Sequence, residues 1–261
     1  LAKNKDVIIH LAALISIPHS YNSFQSFIDT NINGTLNVLR CIKKNLNIKL
    51  ITTSTSEVYG TGIKIPMKES HRLYPQSPYA ASKASADLIV NSFYNSYNLP
   101  IITLRPFNNF GPRQSPRAVI PTIIKQFLSA QKYLSLGNIN TYRDFTYVLD
   151  TVKAYELSLK SNSFGEVFNI GSNYSVKIMD IIKFCKVEFN NNKKIKTNKK
   201  KLRPKKSEVM KLYSSNKKAV EVLKWKPEFE GLNGFKRALI LTINWYRKNY
   251  DYYQNYSNKI I

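Results

Sequence analysis

The sequence predicts an α/β fold, a doubly wound parallel sheet in one lobe with a smaller α/β lobe beside it. Three observations point there. Apolar, β-branched runs at 6–13, 49–55 and Ile101–Pro106 read as strands buried on both faces. Helical patterns at 27–45 and Pro78–Tyr97 lie between them and supply the crossovers that parallel strands need. A further short run, 166–170, returns to the same sheet.

Taken in order, 6–13 is a strand that ends in small apolar residues, and 27–45 is the helix after it. The run 49–55 ends in small polar residues, which places Thr55, Ser56 and Glu57 at a strand's carboxyl end, where open parallel sheets bind ligands. Pro78–Tyr97 has a marked start: Ser77 caps the free amides and Pro78 suits the first helical position. Apolar spacing makes 118–129 a helix, 214–224 another closed by Trp225-Lys226-Pro227, and 232–246 the last long one. The tail 250–261 is aromatic and polar, expected to be loosely held, and suggests no chemistry. The lobes divide as 1–110 with about 144–171, and 111–143 with 172–261.

Composition narrows the function classes. Hydrophobic residues make up 43%, enough for a core, no apolar run reaches membrane-spanning length, and nothing resembles a signal peptide. Cys41 and Cys185 are far apart with no paired spacing, as in a reduced, cytoplasmic protein. His10, His19 and His71 form no ligand pattern, so no metal site is expected. The net charge is +24, and nine Lys/Arg with no acid fall between Lys193 and Lys206. A nucleic-acid-binding module is the rival reading of that run. The run lacks interleaved aromatics, which favours a solvated basic surface near a cleft for an anionic substrate. Filter binding with a steep salt slope, indifferent to nucleotide sugar, would favour the rival.

The chemistry concentrates in two segments, Thr53-Ser54-Thr55-Ser56-Glu57-Val58-Tyr59-Gly60 and Ser77-Pro78-Tyr79-Ala80-Ala81-Ser82-Lys83. Tyr79 and Lys83 are four apart on one helix face. A free phenol titrates at about 10, and a nearby ammonium lowers that value, so Tyr79 is expected to be a base near neutral pH. A bare Tyr-x-x-x-Lys is weak evidence alone; the upstream hydroxyls and carboxylate strengthen it.

Both segments resemble the active site of the extended short-chain dehydrogenases that modify nucleotide sugars, the NAD-dependent epimerase/dehydratase family. The resemblance runs along the chain: Asp6-Val7-Ile8-Ile9-His10-Leu11-Ala12-Ala13, Thr30-Asn31-Ile32-Asn33-Gly34, Leu104-Arg105-Pro106-Phe107-Asn108-Asn109, Arg143-Asp144-Phe145-Thr146-Tyr147-Val148 and Arg203-Pro204 all match in order. It implies a Rossmann-like sheet and NAD, rather than NADP, as cofactor. Leu11, Ala12, Ala13, Asn31, Thr53, Tyr79, Lys83 and Phe107 would lie against that cofactor. Asn108, Val119, Arg143 and Arg203 would hold a nucleotide-diphosphate sugar, and Thr55, Ser56, Glu57, Tyr79 and Lys83 would carry the reaction. A homodimer through 27–45 and Pro78–Tyr97 is also implied.

Within the family, the details look most like 4,6-dehydratases of N-acetylhexosamine nucleotides of the UDP or GDP type, related to routes to legionaminic-type sugars. A 4-epimerase needs only Tyr79 with Thr55 and Lys83. A dehydratase needs a further base at C5, which Glu57 offers. The Ser-Thr-Ser-Glu run also resembles nucleotide-sugar decarboxylases. Two departures stand out. Relatives with Asp-Glu carry the acid for the leaving hydroxyl where this chain has Ser56, so either Glu57 is expected to serve twice or Ser56 to relay a proton. No G-x-G-x-x-G or G-x-x-G-x-x-G occurs, and the chain starts with Leu1 before what resembles the family's fourth strand. The expectation is a truncated N-terminus lacking roughly sixty residues of βαβ structure, and weak or no NAD binding by this chain.

Overall fold

The structure is a computed structural model and describes residues 4–251. In chain order its strands are β1 (Val7–His10), β2 (Lys49–Thr53), β3 (Ile101–Pro106), β4 (Asn108–Phe110), β5 (Tyr133–Leu136), β6 (Tyr142–Tyr147), β7 (Val167–Ile170), β8 (Ser175–Lys177) and β9 (Lys194–Thr197). Its α-helices are α1 (Ile17–Ser20), α2 (Phe24–Phe27), α3 (Gly34–Lys43), α4 (Pro78–Tyr97), α5 (Val119–Leu128), α6 (Val148–Lys160), α7 (Ile178–Glu188), α8 (Lys217–Leu223) and α9 (Gly231–Lys248).

Four parallel strands form the main sheet in the order β1-β2-β3-β7. Alternate side chains go to opposite faces. Leu50 and Ile101 pack with Leu39, Ile42 and Val90 of α3 and α4. Their neighbours Ile51 and Ile102 pack on the other face with Ala154 of α6, Ala219 and Leu223 of α8, and Trp225. Helices on both faces explain why these strands read as continuous apolar runs. Trp225 is fully buried, and its ring N–H donates to the Asp150 carbonyl at 2.8 Å.

The expected helix 27–45 is a composite. α2 runs into a π-helical segment, Ile28–Asn33, and then into α3. Wide turns of this kind are frequent at functional sites. Here the segment carries Asn31, which is 1% exposed.

The second core gathers around α5, α7 and α9, with Phe110, Phe145 and Tyr147 from β4 and β6. β6 pairs in parallel with β4 and antiparallel with β8, and β5 pairs with β9. The expected helices 118–129, 214–224 and 232–246 are observed as α5, α8 and α9 with ends shifted by a few residues. α6, α7 and the small strands β4, β5, β6, β8 and β9 were not expected. Of the expected loose tail, residues 252–261 lie outside the described residues.

Candidate active site

The site is built at the carboxyl ends of β2 and β3. β2 leads into Ser54 and Thr55, and Ser56–Tyr59 turns as a 3-10 helix. Thr55 caps that turn, its side chain accepting from the Glu57 amide at 3.3 Å. Gly60 ends it at φ +63°, where a Cβ would lie 2.1 Å from the Tyr74 carbonyl oxygen. Only glycine fits this position without moving backbone. Ser56 and Glu57 are thereby held buried, at 2% and 7% exposure.

α4 presents Tyr79 and Lys83 to the same place. The expected start is observed: the Ser77 side chain accepts from the Ala80 amide at 3.1 Å, with Pro78 next. Lys83 Nζ donates to the Thr53 carbonyl at 2.6 Å. Burial lowers the Lys83 pKa, and Asp87, one turn further along α4, opposes that shift. Tyr79 is buried, and its phenol is pushed up to about 12, chiefly by burial. A hydrogen bond with Thr55 pulls it down, while Glu57 and Asp87 push it up. The expected lowering by Lys83 is therefore corrected: desolvation of the phenolate outweighs the ammonium, whose own charge is directed at the Thr53 carbonyl.

Beneath the turn lies a polar network that sequence reading missed. Asp87 Oδ2 accepts from Ser54 Oγ at 2.6 Å and from Arg105 Nε at 2.9 Å. Arg105 Nη1 donates to Tyr59 at 3.0 Å, and Tyr59 donates to Asn169 Oδ1 at 2.7 Å. The network holds both ends of the segment that carries Ser56 and Glu57. The i+8 spacing from Tyr79 to Asp87 on one helix face was its readable signal.

Of the residues expected against the cofactor, Leu11 and Ala12 are exposed beyond β1, and Ala13 is half-buried. Thr53 carries Lys83 on its carbonyl, and its hydroxyl pairs with Tyr155 at 2.6 Å. Phe107 is buried beside Val58, Tyr59 and Met67. Asn31 has no free amide atom. Its Nδ2 donates to the Leu14 carbonyl and to Ser82 Oγ, and its Oδ1 accepts from the Leu14 amide. It braces the loop after β1 against α4. His10 joins this brace through Thr35 at 3.1 Å, and its pKa is lowered by burial and then by Lys83.

Arg143, on β6, and Arg203 both act on Glu57. Arg143 Nη2 lies 3.4 Å from Glu208 Oε1, and Arg203 Nη1 lies 4.0 Å from the same oxygen and 3.8 Å from Glu57 Oε1. Burial lowers the Arg143 pKa, with Glu57 and Glu208 opposing. Glu208, also missed, is the first acid after the basic run ending at Lys206. The Arg203 segment is tied to the first lobe: Tyr21 pairs with Ser207 at 2.6 Å, and Gln76 Nε2 donates to the Lys206 carbonyl at 2.9 Å. Asn108 lies at the start of β4, and its Oδ1 is buried with no hydrogen-bond partner. Val119 opens α5 and packs against the second core. Among the described residues, no group of three or more His, Cys, Asp or Glu could hold a metal ion.

Tyr79 and Lys83 are thus buried near the carboxyl end of β2, and Arg203 approaches Glu57 of the adjoining turn at 3.8 Å. Residues 2–237 match the family described as GDP-mannose 4,6 dehydratase. The chain belongs to that family, within the NAD-dependent epimerase/dehydratase group of extended short-chain dehydrogenases. It is 35% identical over 189 residues to dTDP-D-glucose 4,6-dehydratase of Dictyostelium discoideum, covering 68% of this chain and 44% of that protein. Among solved structures, dTDP-glucose 4,6-dehydratase from Bacillus anthracis in complex with NAD matches at TM-score 0.84 and 31% identity, covering 96% of this chain and 75% of that one. UDP-N-acetylglucosamine 4-epimerase from Methanobrevibacter ruminantium in complex with UDP-N-acetylmuramic acid matches at TM-score 0.85 and 33% identity, covering 95% and 78%.

Proposed function

We propose that the chain carries the reaction site of an NAD-dependent nucleotide-sugar 4,6-dehydratase. The observation that carries the reading is Glu57, a buried carboxylate on the turn capped by Thr55, which itself bonds Tyr79. An enzyme that only inverts C4 has no use for a carboxylate there.

The residues fit the nicotinamide half of a dinucleotide: Leu11 and Ala12 are open beyond β1, and Lys83 of α4 is close enough to His10 at the end of β1 to lower its pKa. When bound, NAD supplies the acceptor for the C4 hydride and its donor to C6. Burial holds the Tyr79 phenol neutral in the free chain, so Tyr79 would take the proton of the C4 hydroxyl only once bound ligand and the Lys83 ammonium favour its phenolate. The C4 ketone acidifies C5, whose proton goes to Glu57. The C6 hydroxyl would leave as water with the proton held by Glu57, either directly or through Ser56, and C5 would then regain a proton from solvent. Arg143 and Arg203 grip the diphosphate, a match to guanidinium geometry, with Asn108 and Val119 beside the nucleotide sugar.

A 4-epimerase is the second reading, favoured by the 33% identity to the Methanobrevibacter enzyme. Mass spectrometry after incubation with NAD and UDP-, GDP- or dTDP-hexoses separates them. Loss of one water with a new 4-keto group is expected, and an isomer of unchanged mass would favour the epimerase. Loss of carbon dioxide from a uronic acid would favour the decarboxylase.

A homodimer through α3 and α4 belongs to the same proposal, supported by the exposed Leu88 and Tyr97 on α4. So does a cytoplasmic location, supported by two free cysteines. Among the described residues, no helix is long and apolar enough to cross a membrane.

A further inference from the structure

Arg203 stands between two carboxylates and is hydrogen-bonded to neither. Its Nη1 lies 3.8 Å from Glu57 Oε1 and 4.0 Å from Glu208 Oε1. That nitrogen is buried and has no hydrogen-bond acceptor. Buried donors are almost always paired, so this one is built for an acceptor that the protein does not itself supply. Glu208 is the better placed of the two carboxylates to stay on Arg143, at 3.4 Å. Arg203 is then the cation nearest to Glu57, at 3.8 Å, with Arg143 acting on the same carboxylate from further off.

We propose that Arg203 is shared between the anionic ligand and Glu57, so that filling the diphosphate grip releases the proposed base. The inference rests on the reading of Arg143 and Arg203 as that grip. A diphosphate offers several oxygens in a geometry that the guanidinium fork accepts at full hydrogen-bond distance. Glu57, carried on the 3-10 turn, stands at ion-pair distance from Arg203 and beyond hydrogen-bond distance. The diphosphate therefore wins the contact, and its charge cancels the attraction that Arg203 exerts on Glu57. The buried carboxylate loses its nearest counter-ion. By linkage, Glu57 must weaken ligand binding as much as the ligand activates Glu57.

Calorimetric titration with UDP and with GDP, in the absence of NAD, tests this on the unaltered chain and on E57Q, R203Q, R143Q and E57Q/R203Q. R203Q should weaken diphosphate binding by about tenfold or more, the worth of a charge-assisted hydrogen bond. E57Q should tighten it by about three- to tenfold, the range of a partly screened ion pair. That gain should fall below about twofold when Arg203 is already glutamine, because the two sites are coupled only through contact. E57D, with a shorter reach, should give a smaller gain than E57Q. An E57Q chain that binds no more tightly than the unaltered one overturns the inference, as does an equal gain with and without Arg203. Unchanged affinity in both R203Q and R143Q, with circular dichroism intact, overturns the grip reading itself and the shared arginine with it.

Discussion

The two halves of the site are built on opposite terms. In the reaction half, Tyr79, Lys83 and Ser54 all find partners within the protein, and Asp87 and Arg105 form a closed ion pair beneath them. In the grip half, two guanidiniums share one glutamate, and a buried nitrogen of Arg203 has no acceptor. The reaction half is pre-organised by its own hydrogen bonds. The grip half is electrostatically incomplete, a state that a dianion would resolve. Preorganisation suits acid–base chemistry, whereas a single uncompensated donor, Arg203 Nη1, suits the proposed binding role.

Several changes would break or sharpen that contrast. Replacing Tyr79 by Phe removes the acid–base group while leaving the ring packed, and turnover of nucleotide sugar with added NAD should fall about 10²–10⁴-fold. Affinity for UDP or GDP should stay within about twofold, since the grip is on the other lobe.

The second change strikes the support of the reaction half. Arg105→Ala leaves Asp87 buried without its partner, at side-chain exposures of 7% and 8% in the intact pair. A loss of about 3–5 kcal/mol in denaturant unfolding is expected. Gly60→Ala should also destabilise, because the Cβ meets the Tyr74 carbonyl at 2.1 Å. The corresponding change in the grip half, Arg143→Gln, should cost less stability than binding, weakening UDP or GDP by about tenfold.

The mildest effect is on pH. Burial raises Cys185 from 9.0, and Tyr59 and Tyr79 from 10.0, each to about 12. These are acids held neutral in the folded state, so the unfolded chain ionises first. Their contribution is complete below about pH 9 and is lost as pH rises toward 12. The melting temperature should fall across that window, and Cys185 should resist alkylation until unfolding, with Cys41, which is half-buried, reacting first.

Much of the reaction half was legible because its signals are local. Ser77-Pro78 marks the start of α4 to the residue, and the spacing of Tyr79 and Lys83 places them on one face. The strands of the main sheet read clearly because both faces are covered. The π-helical turn at Ile28–Asn33 did not read, because it is a backbone adjustment that lets Asn31 reach Leu14 and Ser82 from the helix interior. β6 was visible as a motif but not as a strand, since its partners β4 and β8 lie more than thirty residues away on either side. Glu208 follows a run of nine basic residues, and only the folded chain shows that it sits between Arg143 and Arg203. The direction of the Tyr79 shift also needed the structure, because burial is not visible in a helix pattern.

The most direct test of Glu57 as the base for elimination is turnover in deuterated water with NAD and a nucleotide hexose. The proton taken from C5 is replaced from solvent, so the 4-keto product should carry deuterium at C5, and E57Q should give no dehydrated product while still binding UDP or GDP. A C4-inverted product without solvent deuterium, or full dehydration by E57Q, would contradict the account.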